Sequence, residues 1–186
     1  MKHYFFILLL LFLSSCKFSS DNFSEIGNDC FVLSAPKYLQ QLSDPQEGAI
    51  IHLSEDTADF LKGLSLIVYS DNVIDESDTN TLYSYYNFVV NNLLDENLED
   101  ENLEAPKDTV INGLKSILFV TCGTVNKDDS IKNVCYFTGI YKGRKKFYEV
   151  TVWCSQQNKA KYTNEINRIL GSFKEKANTS NCSVVL

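Results

Sequence analysis

Cysteine and histidine are the side chains of this sequence that can do chemistry near neutral pH, as nucleophiles, acid–base groups or metal ligands. The chain of 186 residues has six cysteines and two histidines, His3 and His52. No two cysteines have the CxxC spacing of a zinc site, and the HExxH and GxSxG motifs do not occur. We therefore expect no enzyme, no metal site and no cofactor.

His52 is the histidine on which any acid–base mechanism would depend, because His3 falls in a segment that we expect to be removed. His52 lies between Ile51 and Leu53 in an apolar run that predicts a strand. Side chains alternate along a strand, so His52 should point away from these neighbours, towards the surface. We therefore expect a surface histidine and not a catalytic one.

The segment before Cys16 has the organisation of a signal peptide. Lys2 supplies a positive charge, the nine residues from Phe5 to Leu13 are apolar, and two small serines precede the cysteine. A membrane-spanning helix needs roughly 20 apolar residues, so this segment is too short to span a bilayer. We expect residues 1–15 to be cleaved off as a signal.

The stretch Leu13-Ser14-Ser15-Cys16 resembles the lipobox of bacterial lipoproteins. The resemblance implies that the Cys16 thiol and the new amino group are acylated, with palmitate among the acyl chains. Each buried methylene contributes about 0.8 kcal/mol, so several chains anchor a protein stably where one is marginal. Lys17, and not an aspartate, follows the cysteine, which implies the outer membrane; the periplasmic face and the surface both stay open. An ordinary secretory signal is the alternative.

Composition predicts one folded domain behind this anchor. The chain is 44% hydrophobic and 12% aromatic, which is too apolar for disorder. Its net charge is −7, so the clustered lysines and arginines of a nucleic-acid-binding protein are not expected. The Ser, Asn and Asp content of the next residues predicts a lipidated tether at 16–29. A domain at 30–175 and a tail at 176–186 would follow.

Hydrophobic periodicity predicts three strands, a helix, a hairpin-rich set of strands and a closing helix. The predicted strands are 30–36, 48–54, 64–70, 114–122, 133–141 and 146–154. Apolar residues at helical spacing predict helices at 79–94 and from Tyr162 to Phe173. The acidic repeat DENLEDENLE at 95–104 is expected to be a solvated continuation of the first helix or a loop.

This order of elements resembles the PsbP-like fold of photosystem extrinsic subunits, a Ran-binding nuclear-transport factor and bacterial lipoproteins of the DcrB type. The resemblance covers roughly residues 30–174 and is carried by the helix at 79–94 and by the stretches CFVLSAP, NGLKSILFVTC with its Asn112-Gly113 turn, FYEVTVWC and INRILGSFK. It implies an α+β fold in which helices flank an antiparallel β-sheet, as an α/β/α sandwich. It also implies that the protein binds other proteins and does not catalyse.

Without Cys16, five cysteines remain in an oxidising compartment, so at least one thiol is left unpaired. Cys135 and Cys154 share a face across the predicted hairpin, and Cys122 on the neighbouring strand competes for Cys135. Spacing alone does not decide the connectivity. We prefer Cys122 with Cys135 and Cys30 with Cys182, which leaves Cys154 free. The alternative is that several of them are buried thiols.

Two functions of different classes follow. The first is an adaptor that binds a protein partner in the cell envelope, such as an envelope assembly or a toxin. The second is a carrier of a small apolar ligand or lipid, in a pocket between the helix at 79–94 and the sheet, lined by Tyr83, Tyr85, Tyr86 and Trp153. A deep apolar cavity favours the carrier, whereas a packed core with a contiguous exposed apolar patch favours the adaptor.

Overall fold

The protein is built on a large antiparallel sheet with a helix on each face. The structure, a computed structural model, describes residues 22–59, 61–72, 81–95, 98–127 and 130–177. Its helices there are α1 (Leu82–Asp95) and α2 (Lys159–Ser172), the second preceded by a short 3-10 turn, Gln156–Asn158. Its strands are β1 (Phe23–Gly27), β2 (Phe31–Pro36), β3 (Gln40–Gln41), β4 (Ile51–Ser54), β5 (Ser65–Asn72), β6 (Leu98–Leu103), β7 (Lys107–Ile111), β8 (Leu114–Lys127), β9 (Ser130–Lys142), β10 (Lys146–Ser155) and β11 (Lys174–Glu175).

Eight strands form the main sheet in the order β3-β4-β5-β10-β9-β8-β6, with β7 paired to β8. Every neighbouring pair is antiparallel. A smaller sheet has the order β1-β2-β11. The α+β class and the helix-flanked antiparallel sheet are therefore the fold that the sequence predicts.

The first face of the main sheet packs against α2 and the smaller sheet. Alternate residues of β10, from Tyr148 to Cys154, point to this side. The helix contributes the side chains that its 3.6-residue period places on one face, namely Tyr162, Ile166, Ile169 and Leu170, and all of them are buried. Rings close the end of this core, where Phe173 stacks on Tyr141 at 4.3 Å between centroids.

The second face packs against α1, but over part of its area. Tyr86, Val89 and Val90 are buried against the sheet residues Ile117, Phe119 and Ile140. The Tyr86 ring meets Phe119 edge-on at 5.1 Å. Along β10, residues on both faces are buried. Residues 79 and 80, where the predicted helix begins, lie outside the described residues.

The Asn112-Gly113 turn joins β7 to β8, and the sequence predicts its position. Asn112 and Gly113 have φ angles of 49° and 85°, and the flanking Ile111 and Leu114 are paired. Two positive φ angles in a two-residue loop define the mirror-image turn that matches the twist of a hairpin. The Asn112 side chain also donates a hydrogen bond of 2.8 Å to the Phe173 carbonyl, just beyond α2.

The ordered domain begins before residue 30, so the predicted tether at 16–29 is wrong over part of its length. Phe23–Gly27 forms β1 and pairs residue by residue with β2. Phe23 and Ile26 pack on the main core although the residues around them are polar. Pairing with β2 and the contacts of Phe23 and Ile26 stabilise the strand. The polar composition of this segment therefore does not predict it.

The acidic repeat at 95–104 is also not the predicted helical continuation or loop. The helix α1 ends at Asp95, and Leu98–Leu103 forms β6, paired with β8 across an irregularity between Glu99 and Asn102. Leu98 is buried while Glu99 stays exposed. Gly123 of β8 permits this approach, because a Cβ there would lie 2.6 Å from Leu98 Cγ. Pairing with β8, and not the local density of charge, therefore determines the strand conformation of residues 98–103.

Residues 123–132, which lie between the predicted strands 114–122 and 133–141, are mostly strand as well. The strand β8 continues to Lys127, and β9 begins at Ser130. Their ladder extends as far as the pair of Lys127 with Ser130. The backbone hydrogen bonds between β8 and β9 therefore hold these polar residues in strand conformation, although they lack the apolar alternation that marks a strand in the sequence.

Candidate functional site

A cavity of about 710 Å³ opens on the second face of the main sheet. None of the α1 residues from 82 to 92, whose side chains the structure describes, lines it, so the cavity lies beside that part of the helix and not beneath it. Its floor comes from β4, β5, β9 and β10. The described residues of its walls are Leu42, Ser43, Asp44, Gln46, Thr57, Ala58, Leu61, Leu98, Val125 and Asn126. Small-molecule sites have volumes of about 300–1,000 Å³, so this cavity has the size of a binding site.

Strand register brings the floor residues together. His52 pairs with Ile67, and Ile67 pairs with Thr151, so one row crosses β4, β5 and β10. A second row pairs Trp153 with Tyr136. A third row pairs Glu149 of β10 with Tyr69 of β5. Because side chains alternate, residues two apart on each strand point into the same space.

Aromatic rings form the apolar part of the floor. The Trp153 ring lies 6.1 Å from the Tyr136 ring and 5.6 Å from the His52 ring, measured between centroids. Trp153 is buried in a cluster with Leu61, Ile67 and Val134, and Tyr69 and Tyr136 pack against that cluster. Trp153 is also the single tryptophan of the whole sequence. Its fluorescence therefore reports on this cavity alone.

His52 points away from Ile51 and Leu53 as predicted, but it is not a surface residue. Its exposed fraction is 5%. The chain before β4 lies against it, since the Leu42 N–H donates a hydrogen bond of 3.0 Å to the His52 carbonyl. The backbone N–H of Gln46 donates a hydrogen bond of 3.3 Å to His52 Nδ1, so the neutral ring carries its proton on Nε2. Burial lowers the pKa of His52, which favours this neutral form.

Glu149 is the acidic group of the floor. Thr151 Oγ1 donates a hydrogen bond of 2.9 Å to Glu149 Oε1, and the hydroxyls of Thr151 and Thr138 lie 3.0 Å apart. Since Thr151 has one proton to give, Thr138 donates to Thr151. Burial raises the pKa of Glu149 to about 7; the hydrogen bond from Thr151 opposes this shift, and the charge of Asp71 adds to it.

The sequence predicts a pocket between helix and sheet, but of its four residues Trp153 alone lines the cavity. Tyr83 is exposed and donates a hydrogen bond of 2.7 Å to Asp108. Tyr85 stacks on Phe147 and donates to Asp71. Tyr86 belongs to the core under the helix. The three helical tyrosines therefore pack the helix and do not line the cavity.

The floor residues that the sequence does not single out are Tyr69, Tyr136 and Glu149. One signal for Glu149 is present, because strand alternation in FYEVTVWC puts it on the same face as Thr151 and Trp153. No comparable signal marks Tyr69 or Tyr136, which reach the site through cross-strand pairing.

The cysteines lie on other parts of the fold. Cys122 and Cys135 form a disulfide, which is the pairing preferred from the sequence, and Cys154 is a buried free thiol. Burial raises the pKa of the Cys154 thiol to about 11, although Lys159 opposes this shift. Cys30 is also disulfide-bonded. Its predicted partner Cys182 lies outside the described residues, as does Cys16, so that pairing stays a prediction.

The sequence matches no protein-family model and no curated protein. The fold is similar to solved structures. Cyanobacterial PsbP from Synechocystis has a TM-score of 0.57 at 14% identity, covering 88% of this chain and 99% of that one. The Ran-binding protein Mog1p from Saccharomyces cerevisiae has a TM-score of 0.55 at 14% identity, covering 82% and 95%. LpqN, involved in cell envelope biogenesis of Mycobacterium tuberculosis, has a TM-score of 0.52 at 13% identity, covering 85% and 87%.

At these identities the likeness shows the fold alone. It supports the PsbP-like domain that the sequence predicts. Among the residues that the structure describes, no helix is long and apolar enough to cross a membrane.

Proposed function

We propose that this protein is a non-catalytic binding protein of the cell envelope that holds a small, largely apolar molecule in the cavity beside α1. The observation that carries the proposal is the cavity itself, with a volume of about 710 Å³ and an aromatic floor around Trp153. Such sites combine apolar walls with placed polar groups. Here the floor supplies His52, Glu149 and Thr151, and the walls add polar residues such as Asp44 and Gln46.

The envelope address rests on the sequence before the domain. The stretch Leu13 to Cys16 has the lipobox pattern, so we propose acyl chains on Cys16 and the outer membrane as the location. Six residues, from Lys17 to Asn22, precede β1. Even fully extended they span about 20 Å. A lipid on Cys16 would therefore hold the domain close to the membrane surface, where apolar molecules are abundant.

The neutral fluorescent probe N-phenylnaphthylamine tests the cavity, because Trp153 can transfer energy to it when the two are close. We expect the probe to quench the emission of Trp153 and to emit in return. Ala58 lies at the cavity wall and is exposed, so Ala58→Phe should fill the mouth and weaken probe binding at least about tenfold, or about 1.4 kcal/mol.

Ala160→Phe is the matched control, since Ala160 is exposed on α2, whose buried residues pack on the opposite face of the sheet. This variant should bind the probe as the unchanged protein does. Absence of energy transfer in the unchanged protein, or equal affinity of both variants, contradicts the carrier function.

A protein-binding adaptor is the second candidate, favoured by two exposed aromatics of α1. Tyr83 and Phe88 are 46% and 54% exposed. The name of Mog1p describes a Ran-binding protein, so this fold also serves protein binding. If the adaptor is the function, Phe88→Ser should abolish co-purification of a partner from envelope extracts while Ala58→Phe leaves it intact. The opposite pattern excludes α1 as the docking element.

A further inference from the structure

The charged groups of the cavity are of one sign. Among the described lining residues, Glu149 and Asp44 are acidic and none is a lysine or an arginine. Asp71 adds a further negative charge close to Glu149. A ligand with a carboxylate or phosphate group would therefore meet repulsion without a counter-charge from the described lining. Charge complementarity favours a cation.

Glu149 is placed to receive that cation. It lies at the floor between Tyr69 on one strand and Ile140 on the next, and Thr151 donates one hydrogen bond to Oε1. A carboxylate can accept about four hydrogen bonds, so acceptor capacity remains for a ligand. Taking an ionised carboxylate out of water is costly unless it is paired, and an ammonium group would supply the pairing.

The rings beside Glu149 suit the same ligand. Trp153 and Tyr136 lie further along the same face of the sheet, and Tyr69 lies opposite Glu149. The face of a tyrosine attracts a cation within about 6 Å of the ring centroid, and Tyr69 is the ring on the strand next to Glu149. Trp153, four residues along β10, is about 13 Å from Glu149 and can contact the ligand's apolar body instead. The same rings bury the apolar body of a ligand. Aromatic walls with one carboxylate are the combination that organic ammonium ions need.

We propose that the ligand of this cavity is an organic ammonium ion, whose charged group lies against Glu149 and whose apolar body lies against Trp153 and Tyr136. The proposal rests on the carrier function proposed above and specifies its ligand class.

Binding of such a ligand should depend on pH through Glu149. The groups around this carboxyl are Tyr69 and Asp71 on β5, Tyr85 on α1 and His52 across the cavity floor. Lys142 of β9 lies over the ring of Phe147, at 6.0 Å from its centroid. Since burial raises the pKa of Glu149 to about 7, the carboxyl becomes ionised between about pH 6 and pH 8. Affinity for an ammonium ion should rise over the same range.

Three probes of equal shape test the proposal: phenylbutylamine, phenylbutanol and phenylbutyrate, which differ in their head group. Each is titrated by calorimetry and by displacement of N-phenylnaphthylamine at about pH 8. We expect the amine to bind at least about tenfold more tightly than the alcohol, equivalent to about 1.4 kcal/mol. The carboxylate should bind most weakly. The preference for the amine should disappear at about pH 5.

Glu149→Gln should remove the preference for the amine and leave the affinity for the alcohol unchanged. Glutamine keeps an oxygen that accepts from Thr151, so the local structure is retained. Glu25→Gln is the control, because Glu25 is exposed on β1, within the smaller sheet. It removes the same charge and should change nothing.

Equal affinity for amine and alcohol, or tightest binding of the carboxylate, overturns the ammonium proposal and leaves the carrier function standing. Failure of all three probes and of N-phenylnaphthylamine overturns both. The pH dependence in the unchanged protein tests the role of Glu149 even if the Glu149→Gln variant fails to fold: an amine preference that is the same at about pH 5 and about pH 8 overturns that role.

Discussion

Cys154 lies directly opposite Cys135 across the β9–β10 ladder, although Cys135 is bonded to Cys122 on its other side. The Cα atoms of Cys122 and Cys135 are 4.0 Å apart, the narrow spacing of a pair without mutual backbone hydrogen bonds. Cys135 therefore directs its backbone hydrogen bonds towards β10. The pair of Cys135 with Cys154 is then the wide type, about 5.5 Å, which a disulfide can also bridge.

Replacing Cys122 should redirect the disulfide. In Cys122→Ser we expect Cys135 to bond to Cys154 during oxidative folding, because the register already places the two thiols on one face. Mass spectrometry of peptides prepared without reductant should show the Cys135–Cys154 link. The double variant Cys122→Ser/Cys154→Ser is the control and should keep Cys135 reduced. A free Cys135 in the single variant would contradict the geometry.

The turn between β7 and β8 should be sensitive to its backbone angles. Gly113 has a φ of 85°, and nothing lies within 4 Å of a Cβ built there. Gly113→Ala should therefore lower the free energy of unfolding by about 1 kcal/mol through backbone strain alone. Gly171→Ala is the matched control: its Cβ is equally unobstructed, but it lies in α2 without a positive φ. There alanine should stabilise by about 0.5–1 kcal/mol. Urea denaturation measures both, and equal signs would refute the argument.

The elements that the sequence predicts well are those whose signal is local. Val89 and Val90 repeat at the helical period with Tyr86, so α1 is visible in the chain itself. Asn112-Gly113 determines its own turn. The alternation along FYEVTVWC likewise assigns both faces of β10 correctly.

The elements that the sequence does not predict depend on distant partners. β1 and β6 are polar strands, which form because β2 and β8 supply their hydrogen bonds. The cavity is encoded even less locally than these strands. Its floor residues His52 and Trp153 are about a hundred residues apart in sequence and come together through the register of the sheet.

Cys16 should decide whether the protein stays with the membrane. If it is acylated, the mature protein should carry an acyl mass on its N-terminal peptide and should sediment with the membrane fraction, since several chains anchor stably. Cys16→Ser should abolish both. Cys154→Ser removes a cysteine from the folded core and should preserve both. Membrane association of Cys16→Ser equal to that of the unchanged protein would rule out lipid anchoring.

Glu149 should make the stability of the protein fall as pH rises. Burial raises the pKa of this carboxyl from its ordinary 4.5 to about 7 in the folded protein. Between these values the folded state keeps a proton that the unfolded state has released, so the free energy of unfolding decreases with increasing pH. The contribution of Glu149 to the free energy of unfolding is fully present below about pH 4.5 and is lost by about pH 7. It amounts to at most about 3 kcal/mol.

Glu149→Gln removes this titration and keeps the acceptor for Thr151. Between about pH 5 and about pH 8, the unchanged protein should lose about 2–3 kcal/mol of unfolding free energy through Glu149, and the variant should not. The variant's unfolding free energy should therefore rise by that amount relative to the unchanged protein's. Urea denaturation of both proteins at each pH gives this double difference, in which His52 and the other titrating groups cancel. Glu25→Gln should show none of it, because Glu25 is exposed. A double difference near zero would mean that Glu149 is hydrated in solution, and the buried carboxylate to which the ammonium ligand is assigned would then be absent.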